Sequence, residues 1–131
     1  LERAVGKRSI PIAGFWSNGK ANLHQGGLGI GINMEAGSLA YAYDGQAYHT
    51  VHPDSQQQIL DKKIPYWEEL LELSIQTAEA FPELGYLGVD IVLDQELGPL
   101  IMEINVRPGL GIQLANRASL KQPLQTISAN Y

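Results

Sequence analysis

The sequence predicts an α+β domain, an antiparallel sheet with helices packed on one face. Three observations lead there. Short apolar runs bounded by turn residues recur along the chain, two of them with period-two alternation. A longer run between Pro65 and Pro82 carries its apolar residues at helical spacing. The two alternating runs, around Asp90 and Glu103, are joined by only a few turn residues, which makes them antiparallel neighbours.

In chain order, Ser9 to Phe15 reads as the first strand, and Pro11 places it at a sheet edge because proline cannot donate to a ladder. Ser17 to Lys20 is a loop marked by the Asn18-Gly19 dipeptide, which leaves Lys20 exposed. The run Gly26-Gly27-Leu28-Gly29 looks like a phosphate loop but lacks the helix signal that should follow one. It reads instead as the start of a strand with close backbone approach. Leu28 to Asn33 and Leu39 to Tyr43 form a strand pair around a turn at Glu35 to Gly37. Residues 44–64 are polar and turn-rich and read as a long loop. Pro65 opens the clearest helix, which ends before Pro82. Trp67, Leu70, Leu71, Ala78 and Phe81 make its core stripe, with Glu68, Glu72 and Glu79 on the other side. Glu68 and Glu69 sit in the first turn, where the helix dipole favours acids. A second helix is expected over Ile112 to Leu120, closed by Pro123, with Arg117 and Lys121 toward its C-terminus.

The segment from Gly85 to Asn116 is the most informative. On its first strand Leu87, Val89, Ile91 and Leu93 share a face; on its second, Leu100, Met102, Ile104 and Val106 do. A four-residue turn of Gln95, Glu96, Leu97 and Gly98 pairs Leu93 with Leu100, Ile91 with Met102, Val89 with Ile104 and Leu87 with Val106. The same register sets Asp90 across from Glu103, with Asn105 one step along and Arg107 on the same face. Two carboxylates at about 4 Å repel by roughly 4 kcal/mol at an effective dielectric of 20. They need a cation between them, or one must keep its proton. Hard oxygen ligands of this kind suit Mg²⁺ or Mn²⁺, particularly beside a phosphate. The bland alternative is two solvated acids on the wet face of an ordinary hairpin.

The Asp on one strand, Glu-x-Asn on the next and the following Pro-Gly turn together resemble the large-lobe signature of ATP-grasp ligases. Here the signature stands as Gly88-Val89-Asp90-Ile91 and Met102-Glu103-Ile104-Asn105-Val106-Arg107-Pro108-Gly109. A second block, Lys20-Ala21-Asn22-Leu23-His24-Gln25-Gly26-Gly27, is similar to an element of the ribosomal-protein glutamate ligase. Closer still are the alpha-L-glutamate ligase-like proteins. The run from Gly19 to Gly31, His52-Pro53-Asp54 and Gly85 to Asn116 resemble that family in this order, over roughly Ile10 to Leu120.

The resemblance implies roles residue by residue. Asp90, Glu103 and Asn105 would hold Mg²⁺ against the ATP phosphates. Arg107 would lie near the transferred phosphoryl group and the acyl phosphate, as the catalytic cation. Lys20 and Asn22 would bind nucleotide phosphate and substrate. The glutamate ligases carry Arg where this chain has Lys20, and lysine keeps the charge but loses the bidentate fork. His24 reads as structural more readily than catalytic. The implied reaction joins a carboxylate to an amino acid, glutamate by resemblance, through an acyl phosphate made from ATP. The implied home is cytoplasmic, where ATP is available. The small nucleotide-clamping lobe and an N-terminal domain precede this region in relatives. The chain, starting at Leu1, therefore looks like the C-terminal part of an ATP-grasp domain, inactive alone. The alternative is a lobe that binds nucleotide, metal or a partner without ligation, which Lys20 leaves open.

Composition bounds the rest. At 131 residues the chain suits one domain, and an apolar content of 44% suits a packed core rather than disorder. A net charge of −5 with no basic patch argues against nucleic acid. The chain has no apolar run of about 18 residues to span a membrane and no secretory signal. With no cysteine there is no disulfide or thiol nucleophile, and no Ser-His-Asp grouping stands out. His24, His49 and His52 do not make a zinc pattern. Assembly into a homo-oligomer is left open by the sequence.

Overall fold

The computed structural model describes residues 15–17, 27–107 and 125. The fold is α+β, with two antiparallel sheets and one helix. The chain divides into two compact units with a boundary between Ile64 and Pro65. Where one sheet was expected, there are two. Each strand pairs with its neighbour in sequence, and no ladder joins the two sets among the described residues.

The first unit holds a four-stranded meander: β1 (Phe15–Ser17), β2 (Gly29–Asn33), β3 (Ser38–Tyr43) and β4 (Tyr48–His49), in that spatial order. The β2–β3 pair forms as the sequence predicts. Its turn closes through the Asn33 side chain, whose Oδ1 accepts the Ala36 N–H at 3.0 Å, and through Gly37 at φ 64°. A register shift between Ile30 and Ile32 lets Ile30 face Ala42 and Ile32 face Leu39, so apolar residues meet on both sides of the irregularity. Gly27 and Leu28 run straight into β2, as expected of a strand start. The first strand extends to Ser17, which the sequence placed in a loop; residues 9–14 lie outside the described part.

The 44–64 segment is not a plain loop. Tyr43 pairs with Tyr48, their rings 4.9 Å apart, and builds a hairpin with β4. Beyond it the chain is strapped to β3 by backbone bonds from Leu39 N to Lys62 O at 2.8 Å and from Asp61 N to Leu39 O at 2.8 Å. Ile59 and Ile64, each 5% exposed, peg it to the core made by Leu28, Ile30, Leu39 and Ala42. Polar composition hid this order because it comes from backbone bonding and two isolated pegs rather than from a periodic apolar face.

The second unit holds α1 (Trp67–Glu79), β5 (Gly88–Asp94) and β6 (Gly98–Asn105), with α1 packed against both strands. The helix begins two residues after Pro65, because Tyr66 takes a left-handed conformation (φ 55°, ψ 33°) that cannot continue back into a helical turn. Its expected stripe is half-buried, Phe81 falls beyond its end, and Thr77 is the buried helical residue. Thr77 reaches that position by donating its hydroxyl to the Leu73 carbonyl at 2.7 Å. The second expected helix, with Arg117 and Lys121, lies outside the described residues.

Candidate functional site

The hairpin geometry corrects half of the expected register and preserves the half that matters. The turn has three residues, Gln95 to Leu97, and Asp94 pairs with Gly98 rather than Pro99. Asp94 caps it: its Oδ1 accepts the Glu96 and Leu97 N–H groups, each at 2.8 Å, and Gly98 supplies the positive φ of 74° that closes it. Leu93 therefore faces Pro99, Val92 faces Leu100, and Ile91 faces Ile101, so the expected Leu93–Leu100 and Ile91–Met102 pairs do not form. A bulge then leaves Met102 as an extra residue on β6, 70% exposed. Below it the register is the expected one: Asp90 faces Glu103, Val89 faces Ile104 and Gly88 faces Asn105. A turn one residue shorter and a bulge one residue long cancel.

Asp90 and Glu103 are thus directly opposed and exposed. Asn105, one step along β6, donates its Nδ2 to Asp90 Oδ2 at 3.4 Å. This bond brings the Asn105 amide to Asp90, and the ladder sets Glu103 opposite Asp90 on the neighbouring strand. The donor set is hard oxygen and carries two negative charges in water's reach, which fits Mg²⁺ or Mn²⁺. Arg107 is exposed in the bend just beyond β6. Lys20, Asn22 and His24 lie outside the described residues.

His49 and His52 have structural partners. His49 Nε2 meets Asp44 Oδ2 at 2.8 Å, and Asp44 Oδ1 accepts the Gln46 and Ala47 N–H groups, each at 2.8 Å. Those bonds, the Ala47 N–H foremost and then the His49 ring, hold the Asp44 carboxyl down to about 2. The Leu97 and Glu96 N–H groups likewise hold Asp94 below the ordinary carboxylate value. His52 Nδ1 accepts the Asp54 and Ser55 N–H groups at 3.2 Å each, so the His-Pro-Asp run is a capped turn. Nothing in the sequence marks the Asp44–His49 clasp, since an aspartate before glycine signals a turn and not its side-chain partner.

A family profile for sugar-transfer associated ATP-grasp proteins matches residues 9–129. The chain belongs to this family. The sequence resemblance therefore holds at the level of the ATP-grasp superfamily, whereas the match is to the sugar-transfer associated group and not to the glutamate ligase-like proteins. ATP-grasp domains are in general ATP-dependent ligases that bind ATP with Mg²⁺, and their fold accords with the antiparallel α+β arrangement of this chain. No curated protein and no solved structure matches the chain.

Proposed function

We propose that this chain is the C-terminal lobe of an ATP-dependent carboxylate–amine ligase whose carboxylate or amine partner carries a saccharide. One observation carries the reading: in a chain of the ATP-grasp family, Asp90 and Glu103 face each other across β5 and β6 while the Asn105 amide bonds Asp90. These three residues would hold Mg²⁺, which when bound neutralises phosphate charge. The family's association with sugar transfer supports the saccharide. Glutamate is the amine that the sequence resemblance implies.

In the proposed reaction a substrate carboxylate oxygen attacks the γ-phosphorus of ATP, the bond to the β-bridging oxygen breaks and ADP leaves. The amine then attacks the acyl carbon, inorganic phosphate departs, and the ammonium proton passes to solvent. The protein's share is positioning and charge neutralisation rather than nucleophilic chemistry. Arg107 is assigned to the charge that builds on the acyl phosphate, and Lys20 with Asn22 to phosphate and substrate. The nucleotide-clamping lobe belongs to the intact protein in this reading.

The test is phosphate release by the intact protein with Mg²⁺ and ATP, scanned against amino acids and against saccharide-linked carboxylates and amines. Release that depends on both an amine and a carboxylate establishes the ligase. ATP binding without release under any pair favours a binding module, for which the Lys20 position is the motivating feature; Lys20→Arg is then the first reversion.

A further inference from the structure

Four strand positions around the opposed acids form a square with one bare corner. Gly88 faces Asn105 and Asp90 faces Glu103, with the Val89–Ile104 pair between them on the other face. This stretch of the ladder lies below the bulge and is regular, so Gly88, Asp90, Glu103 and Asn105 share one face. Three corners carry a polar side chain and the fourth carries none. Facing positions of such a ladder hold their Cβ atoms about 4.5–5.5 Å apart, and diagonal positions lie about 7–8 Å apart. The Asn105 amide crosses the diagonal to Asp90 Oδ2, at 3.4 Å. A side chain at position 88 would stand opposite Asn105 and beside Asp90, flanking both ends of that bond.

The backbone at this corner does not call for glycine. The positive-φ glycines among the described residues are Gly37, Gly45 and Gly98, so position 88 admits an ordinary residue. Glycine weakens a ladder, because it fixes a freer backbone and packs nothing across the strands. Valine or threonine suits a half-buried strand position better. What the glycine yields in exchange is space. At 3.4 Å the Asn105 bond lies at the outer limit of hydrogen bonding, so modest bulk beside it is enough to break it. We infer that Gly88 is a positioning residue: its bare corner lets the Asn105 amide reach Asp90 and thereby sets how tightly the acid pair takes a divalent cation. The inference rests on the metal reading of Asp90 and Glu103 given above. An amide bonded to Asp90 fixes that carboxylate where it faces Glu103 and leaves the amide oxygen as a third hard donor. Filling the corner should then strengthen the hairpin and weaken the cation.

The experiment is a Mn²⁺ titration of the intact protein, read by water-proton relaxation, with denaturant unfolding in the absence of metal beside it. Asp90→Asn identifies the binding that belongs to this pair. The variants are Gly88→Val, Gly88→Ala, Asn105→Ala and Gly88→Val combined with Asn105→Ala. The expected result is a Kd about 10-fold higher in Gly88→Val, with its unfolding midpoint unchanged or raised. Gly88→Ala should fall between it and the parent. Once Asn105→Ala has removed the amide, Gly88→Val should add no further loss. A parent-like Kd in Gly88→Val overturns the inference and leaves the acid pair as the cation site. A full further loss in the Asn105→Ala background also overturns it, because position 88 would then crowd the cation directly. If Gly88→Val lowers the midpoint, the smaller Gly88→Ala decides, and its parent-like Kd overturns the inference. Mn²⁺ binding that is absent from the parent, or untouched by Asp90→Asn, overturns the metal reading and this inference together; the parent and Asp90→Asn titrations alone separate that result from a failure of Gly88.

Discussion

Asp90 and Glu103 are the residues on which the ligase reading turns, because each is useful only in the presence of the other. Apart, they are solvated acids on a strand; opposed, they would, in the proposed reading, make a site that prefers a divalent cation. Asp90→Asn and Glu103→Gln should each lower ATP turnover of the intact protein by about 100-fold or more. Changes even in outer-shell residues around a metal commonly cost 10- to 100-fold. Circular dichroism should not change, since both side chains are exposed. Turnover within a few-fold of the parent in both variants would remove them from the metal site. A second residue-scale expectation concerns Asp44. Its folded carboxyl lies near 2 against an ordinary 3.8, so the folded hairpin favours the charged form. That contribution is complete above about pH 4 and is lost as the pH falls toward 2. The Gln46 and Ala47 amides should lose exchange protection in that window, and Asp44→Ala should show the loss already at neutral pH. Protection unchanged down to pH 2 would show that the carboxylate does not hold this turn.

Elements were legible where a period or a punctuating residue announced them. The β2–β3 pair, the helix after Pro65 and the two strands of the last hairpin all lie where alternation or proline placed them. The turn of that hairpin is one residue shorter than the sequence predicts, because Gly98 can close a three-residue turn as readily as it can end a four-residue one. Only the sheet, by inserting Met102, restores the acids to opposition. No local pattern encodes that compensation; it is settled by pairing across strands. The left-handed start of α1 at Tyr66 was hidden for a similar reason, since tyrosine carries no preference for positive φ. Gly98 yields the sharpest element-scale test. A Cβ built there would lie 3.9 Å from the Tyr66 ring, ordinary contact, so space is not the obstacle; the φ of 74° is. Gly98→Ala should therefore cost about 1–2 kcal/mol in denaturant unfolding, and Gly98→Asn less, because asparagine tolerates this region. Equal losses in the two variants would indicate crowding instead of backbone strain.

Burial is uneven across the molecule. The unit of the four-stranded sheet seals Leu28, Ile30, Leu39, Ala42, Ile59 and Ile64 from water. In the unit that carries the acids, the described apolar side chains are at most half-buried, and Val92, Leu100, Met102 and Val106 are 43%, 37%, 70% and 60% exposed. A hairpin held mainly by its ladder and one helix opens more easily than a sealed core. A ligand that binds only its closed form should then stabilise it visibly, by about 2.7 kcal/mol at a hundredfold excess over Kd. Hydrogen exchange of the intact protein should slow across Gly88–Asn105 when Mg²⁺ and ATP are added together, and less when a chelator accompanies ATP. The Asp90→Asn variant should lose the metal-dependent part while the sheet around Ile30 exchanges as before. This arrangement of effects requires the cation to act through the opposed acids. Equal slowing in the parent and in Asp90→Asn would place nucleotide binding elsewhere and leave the Asp90–Glu103 pair an ordinary feature of a wet hairpin face.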